Sequence, residues 1–289
     1  MHYILGLLLY SLVLFYHLFT VSVKEKILSK NIEEFISKND NLSLVNYFEQ
    51  FFVGLLEADS TITVDYISDN KKRVRIFIAI KNTVENKLML NLFVKYIGGR
   101  VAIERSEKYV TWYATSRIDL NKVLAILEKY PFLSIRKQCQ LEFAKKFLYS
   151  TEAISKEEFI QLRDNKYKDR DQMLDYVSEV VFLRYFPAWL SGFIEGEGHF
   201  KLVKSPSGSI KSSQFIIGQN NEKHILKAIL MYFNSETNKI GYVKNKEGVL
   251  HYRIYIAGRE FRKLIVSHFD AYPLLGDKNL KFLDWISKH

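Results

Sequence analysis

Phe52-Val53-Gly54-Leu55-Leu56-Glu57-Ala58-Asp59-Ser60-Thr61-Ile62 and Leu190-Ser191-Gly192-Phe193-Ile194-Glu195-Gly196-Glu197-Gly198-His199-Phe200 are two versions of one stretch. Each runs through apolar and small residues to an acid, a small residue and a second acid. Asp59 and Glu197 lie 138 residues apart, and the same offset pairs Phe77-Ile78-Ala79-Ile80-Lys81 with Phe215-Ile216-Ile217-Gly218-Gln219. Later the offset becomes 142, pairing Arg117 with Arg259 and Tyr130-Pro131 with Tyr272-Pro273, so the second copy carries a short insertion. Self-similarity of this kind means two copies of one structural unit.

Each copy reads as helix, hairpin, helix, hairpin, helix. In the first, Leu44 to Ala58 is an apolar helix, and Thr61 to Tyr66 and Arg73 to Lys81 alternate as strands around the polar turn Asp69-Asn70-Lys71-Lys72. Val84 to Tyr96 is a helix ended by Gly98-Gly99, which supply a left-handed cap. Arg100 to Ile103 and Tyr109 to Thr115 form the second hairpin, and Leu120 to Lys129 and Ile135 to Tyr149 are helices that close the copy. From Ser150 to Arg184 the chain is rich in Lys, Asp and Glu, predicting a linker with exposed helix. In the second strand Val74, Ile76, Ile78 and Ile80 point one way, and Arg73, Arg75, Phe77, Ala79 and Lys81 the other. One face is therefore buried and the other basic. The second copy places Lys201, Lys211, Lys244, His251 and Arg253 among its own strand positions. Two such sheets side by side make a positively charged saddle able to follow a DNA groove.

Gly54 and Ala58 share one helix face, as do Gly192 and Gly196, leaving each helix a strip without bulk. Helices packed through such strips bring their C-terminal ends together, where Asp59 and Glu197 stand. The negative ends of both helix dipoles and the opposing carboxylate make two charges there unfavourable. A divalent cation relieves the conflict, and an all-oxygen site with open water positions suits Mg2+ acting on a phosphodiester. The chain has no evident serine or cysteine nucleophile, no phosphate-cradling glycine loop and no HExxH spacing, which leaves direct hydrolysis by water as the economical reaction. Glu57 and Glu195 lie on another side of the helix ends and fit a structural role in capping or local pairing.

The bulk numbers agree. Lys and Arg number 42 against 32 Asp and Glu, a net charge of +10 that favours a polyanionic partner without naming it. With 48% hydrophobic residues and only 4 Pro, most of the chain folds. The single cysteine, Cys139, excludes an internal disulfide and a multi-cysteine zinc site. Heavy use of Lys, Asn, Ile, Phe and Tyr matches AT-rich codons and points to an organelle or an AT-rich microbe. Tyr3 to Val23 is nearly unbroken hydrophobe, long enough for a hydrophobic N-terminal helix that spans a bilayer. Lys24, Lys26 and Lys30 follow it, the reverse of a secretory signal. Three readings stay open for it: an anchor giving membrane association through residues 3–23, translation from an upstream exon of a membrane protein, or an amphipathic or core helix.

The two acid-ended stretches resemble the LAGLIDADG motif in duplicate. From about residue 43 to residue 289, including Tyr272-Pro273-Leu274-Leu275-Gly276-Asp277-Lys278-Asn279, the chain is similar to single-chain LAGLIDADG homing endonucleases. The resemblance implies an α+β fold of two pseudo-symmetric αββαββα repeats whose antiparallel sheets bind DNA. Its boundaries here are a leader and connector at 1–42, repeats at 43–149 and 186–289, and a linker at 150–185. It implies Asp59 and Glu197 as catalytic metal ligands, with the carbonyls of Ala58 and Gly196 beside them and Mg2+ as the cofactor. Lys81 and Gln219 match the polar positions near the attacking water, and Arg117 and Arg259 the basic positions that orient water and phosphate charge. Arg73, Arg75, Lys201, Lys211, Lys244, His251 and Arg253 become DNA contacts. The function implied is an intron-encoded, mitochondrial or other organellar enzyme, active as a monomer, that hydrolyses both strands of a long double-stranded DNA site. A maturase bound to its own intron RNA and a cleavage-deficient DNA-binding protein are the alternatives. Ser60, in place of the motif's final glycine, and Ile118, at a position usually basic, depart from the pattern.

Overall fold

The computed structural model describes residues 34–35, 41–150, 152–168, 170 and 181–288. The apolar stretch Tyr3 to Val23 lies outside the described residues, among which no helix is long and apolar enough to cross a membrane. The first copy is α1 (Asn41–Asp59), β1 (Ser60–Ser68), β2 (Lys71–Lys81), α2 (Val84–Tyr96), β3 (Arg100–Glu104), β4 (Tyr109–Ala114), α3 (Arg117–Lys129) and α4 (Ile135–Leu148). A connecting helix, α5 (Lys156–Asp164), lies between the copies. The second copy is α6 (Phe186–Glu197), β5 (His199–Lys204), β6 (Ile210–Asn220), α7 (Lys223–Tyr232), β7 (Gly241–Lys244), β8 (Leu250–Ala257), α8 (Arg259–Ala271) and α9 (Asp277–Ser287).

Each copy builds one antiparallel sheet, ordered β1-β2-β4-β3 and β5-β6-β8-β7. Local chemistry fixes the element ends. Thr83 and Ser116 cap α2 and α3 by accepting the amides of Asn86 and Asp119. Gly98 and Gly99 end α2 with φ of 112° and 83°, conformations that suit glycine. The linker helix α5 is not fully exposed, because its Phe159 is buried against Tyr66, Phe143 and Phe147.

α1 and α6 cross at the centre, between the two sheets. They meet on Gly54 and Gly192: a Cβ added at either would lie 1.9 Å from a carbonyl oxygen of the other helix, Trp189 for Gly54 and Phe51 for Gly192. Phe51, Phe52, Leu55, Trp189 and Phe193 around the crossing are buried and join both copies into one core.

The sheet register corrects one expectation. Ile62 pairs with Ile76, whereas its counterpart Phe200 pairs with Phe215, so the second copy's first hairpin is one residue longer than the offset of 138 allows. Its turn, Ser205 to Ser209, carries Gly208 at φ 86° where the first copy turns at Asp69-Asn70. Because side chains alternate along a strand, one added residue exchanges the faces. Phe215, Ile217 and Gln219 therefore face the core side, and Gln214, Ile216, Gly218 and Asn220 the open side. Lys81 corresponds to Asn220, not to Gln219.

Candidate active site

α1 ends at Asp59 and α6 at Glu197, and the crossing places these ends against each other. A Cβ added at Gly196 would lie 2.4 Å from the Cβ of Ala58 and 2.8 Å from Oδ2 of Asp59. Asp59 is open to solvent and Glu197 half-buried, but both stand at the floor of a space crowded by protein. Desolvation there holds both carboxyls above their ordinary range, and Asp59 raises Glu197 further. Lys278 and Lys137 act in the opposite direction on Asp59, and Gln219, Arg136 and Lys278 on Glu197.

The second acid of each stretch stands at the meeting helix ends; the first holds the frame. Buried Glu57 accepts the amides of Leu133 and Ser134 and the indole N–H of Trp189. Glu195 accepts the amides of Leu275, Gly276 and Lys278 at 3.2, 3.1 and 2.9 Å. Each thus caps the closing helix of its own copy, α4 or α9. The caps are completed across the copies: Glu222 accepts the amides of Ile135 and Arg136, and Asn86 accepts that of Asp277. Arg170 from the linker pairs with Glu222 at 2.6 Å. These bonds fix the N-termini of α4 and α9 beside the acids.

Those N-termini deliver two lysines that the sequence reading did not select. Nζ of Lys137 donates to the Ser60 carbonyl and, at 2.9 Å, to its Oγ. Nζ of Lys278 donates to the carbonyls of Gly198 at 2.5 Å and Gly196 at 3.4 Å. Burial pushes Lys137 down to about 7 and also lowers Lys278. Their signal was present, since both follow the repeated Tyr-Pro, but they sit one residue apart in the two copies and do not align. Ser60 is absorbed by the same contact: its Oγ donates to the Leu56 carbonyl and accepts from Lys137.

Lys81 lines a cavity of about 250 Å³ with Asp59, Tyr109, Lys278 and Lys281. Glu197 borders another of about 390 Å³, lined by His199, Lys201, Gly218, His251, Arg253 and Tyr255. Gln219 is buried beside Glu197, although its Nε2 has no well-aligned hydrogen bond. Arg117 and Arg259 are not brought to the acids. Arg117 reaches the carbonyl of Leu148 at the far end of α4, whose 14 residues put it roughly 20 Å from the capped end. Arg259 follows β8, which runs outward from His251, paired with Asn220, to Ala257, paired with Gln214. Exposed Ile118 shares the outlying position of Arg117.

The open sheet faces carry Arg73, Arg75 and Lys81 in the first copy and Lys201, His251 and Arg253 in the second. Lys244 pairs with Leu250 on the other side, with Tyr252, and Lys211 sits at the outer end of β6 beside a bulge. These two are set apart from the open face. Among the described residues no group of three or more His, Cys, Asp or Glu gathers to hold a metal. Two carboxylates and the adjacent carbonyls of Ala58 and Gly196 remain, a hard oxygen set, and residue 196 has no side chain to fill the space against Asp59.

A family model described as LAGLIDADG endonuclease matches residues 52–147 and 190–289. The chain is 33% identical over 238 residues to the probable intron-encoded endonuclease aI3 of Dictyostelium citrinum, covering 81% of this chain and 92% of that protein. It is 28% identical to the protein of the same name from Debaryomyces hansenii, covering 88% of this chain but only 39% of that longer protein. Among solved structures, the LAGLIDADG homing endonuclease I-GzeII in complex with a DNA target matches with TM-score 0.59 and 20% identity, covering 83% of this chain and 88% of that one. I-LtrWI bound to target DNA matches with TM-score 0.60 and 18% identity over 84% of this chain and 89% of that one, a likeness of fold. Both matched segments begin within the helices that end in Asp59 and Glu197, and the chain belongs to the LAGLIDADG endonucleases.

Proposed function

We propose that this chain is a site-specific homing endonuclease that hydrolyses both strands of a double-stranded DNA target held across its two open sheet faces. The observation that carries the reading is the glycine-mediated crossing of α1 and α6, which sets Asp59 and Glu197 together at the head of two cation-lined cavities. Asp59, Glu197 and the carbonyls of Ala58 and Gly196 would hold a divalent cation, with Mg2+ suited to this oxygen set. When bound, it neutralises the paired acids and stabilises charge at the scissile phosphate. Lys81 and Lys281 supply ammonium donors for a phosphate oxygen on the Asp59 side, and His199 and Lys201 line the Glu197 side. Lys137 and Lys278 hold the backbone just after the acids by donating to the carbonyls of Ser60 and Gly198.

One chain supplies both acids, so a monomer suffices. The AT-rich residue usage and the intron-encoded relatives support a reading frame within an organellar, mitochondrial intron. Digestion of a duplex spanning the intronless insertion site with magnesium tests the function. The wild-type chain is expected to cut both strands, and Asp59→Asn or Glu197→Gln to abolish or strongly slow the cutting. Undiminished cutting by both variants would remove the acids from the mechanism, and RNA-only binding by the wild type would favour a maturase instead.

A further inference from the structure

Arg253 occupies the middle of β8 on the open face of the second sheet, and its partners in register on both sides are glycines, Gly218 on β6 and Gly241 on β7. The matching position of the first copy is Thr111, between Ala79 and Ala102, buried and donating to Glu104. The cation in its glycine-flanked slot therefore belongs to one half of the molecule alone.

The guanidinium is held in place. Its Nη1 donates to the Tyr255 hydroxyl and its Nη2 to Nε2 of His251, each at 3.2 Å. His251 can accept there because its Nδ1 lies 2.8 Å from Oδ1 of Asn220, an acceptor that places the ring proton on Nδ1. Each terminal nitrogen carries two hydrogens, so one on each remains for a ligand. Gly218 maintains this arrangement by its size, since its φ is not among the positive ones. A Cβ there would lie 2.9 Å from both Nε2 of His251 and the carbonyl of Tyr252.

A held fork with one free N–H on each terminal nitrogen, exposed beside a cavity on the open sheet face, matches the O6 and N7 acceptors of guanine in a major groove. A phosphate contact needs no such orientation and comes more naturally from the rim. Resting on the DNA-cleaving function above, we propose that Arg253 reads a guanine in the target, with His251, Tyr255 and Asn220 as its positioning residues. Arg253 and Glu197 border the same cavity, and Gln219 beside Glu197 adjoins Gly218 in β6. At the spacing of neighbouring strands this separation is about 10 Å, which places the guanine within roughly three base pairs of the phosphate served by Glu197.

The test is selection by the full chain from a pool of randomised double-stranded DNA, in calcium so that bound duplex is recovered intact. The wild type is expected to enrich a G·C pair at one position in the half-site facing β8. Arg253→Gln should lower that preference roughly 5- to 150-fold while the preferences at other positions persist. Arg253→Met, which keeps the length of the side chain but none of its donors, should lose the guanine while still binding duplex. Gly218→Ala, which displaces His251, should weaken the same position with Arg253 still present. A uniform fall in affinity across all bases for Arg253→Gln, or a guanine preference that survives in Arg253→Met, overturns the proposal. A wild type that enriches no sequence and cuts no duplex refutes the nuclease function together with it, whereas cutting with intact selectivity in Arg253→Gln refutes the guanine contact alone.

Discussion

Substitution Gly192→Ala tests the helix crossing on which the acid pair depends. The new Cβ would lie 1.9 Å from the Phe51 carbonyl oxygen, 2.7 Å from its carbon and 2.9 Å from the Leu55 nitrogen. All three are backbone atoms, so no side-chain rotation relieves the overlap. Ordinary contact begins at 3.4 Å, and α1 and α6 must separate by about 1.5 Å at this point to accommodate one methyl. Overpacking on this scale costs about 3 kcal/mol, since the surrounding core is tightly filled. For a chain of this size that lowers the melting temperature by roughly 6–12 °C. Glu197 lies on the same helix five residues further on, so the acids also move relative to one another. Misplacement near 1 Å slows a positioned reaction by roughly 100-fold. Differential scanning calorimetry and single-turnover cleavage at a temperature where the variant remains folded separate the two losses. A Gly192→Ala chain that melts and cuts like the wild type would refute the backbone-to-backbone crossing.

Three further outcomes follow from the same geometry. Buried His268, bonded to Ser191 and Tyr232, is pushed down to about 3 by burial, so unfolding below the ordinary imidazole range takes up a proton. Stability should therefore rise with pH through the window from about 3 to 6.5, by up to about 1.4 kcal/mol per unit from this group, and His268→Gln should remove that slope in urea titrations compared with the wild type. Asp65 binds Arg73 through Nε and Nη2 at 3.1 and 3.0 Å and Arg75 through Nη2 at 3.0 Å. Asp65→Asn should free both guanidiniums, tighten binding to arbitrary duplex and steepen its salt dependence by about one unit, read by fluorescence anisotropy across a salt series; an unchanged slope contradicts this placement. Arg117→Ala should leave the cleavage rate unchanged and cost at most roughly 0.5 kcal/mol, because the side chain stands at the outer end of α4; a large fall in rate returns it to the acid centre.

What was legible in the sequence is what repeats with a physical period. Gly54 and Gly192 announced the crossing because a missing side chain at a fixed helical position has few other uses, and the acids at the ends of both helices followed. The alternation of Val74, Ile76 and Ile78 against Arg73 and Arg75 gave the faces of β2 directly. The counterpart strand did not inherit that assignment. Its apolar run Phe215-Ile216-Ile217 has no alternation to fix its phase, and an offset counted from the helix carried the first copy's phase across a longer turn.

The lysines illustrate the deeper reason. Lys137 and Lys278 differ by one position relative to the repeated Tyr-Pro, yet both Nζ atoms reach the carbonyl of the residue that follows Asp59 or Glu197, Ser60 or Gly198. A long flexible side chain at the start of a helix can meet one target from adjacent positions, so the position of the donor is preserved while the alignment is not. The reverse holds for Arg117 and Arg259, which align in sequence but sit where β4 and β8 have already run outward from the centre. Equivalence in a duplicated enzyme is set by where a functional atom arrives. Residue counting finds it only where the backbone between copies keeps the same length and the side chain is too short to compensate.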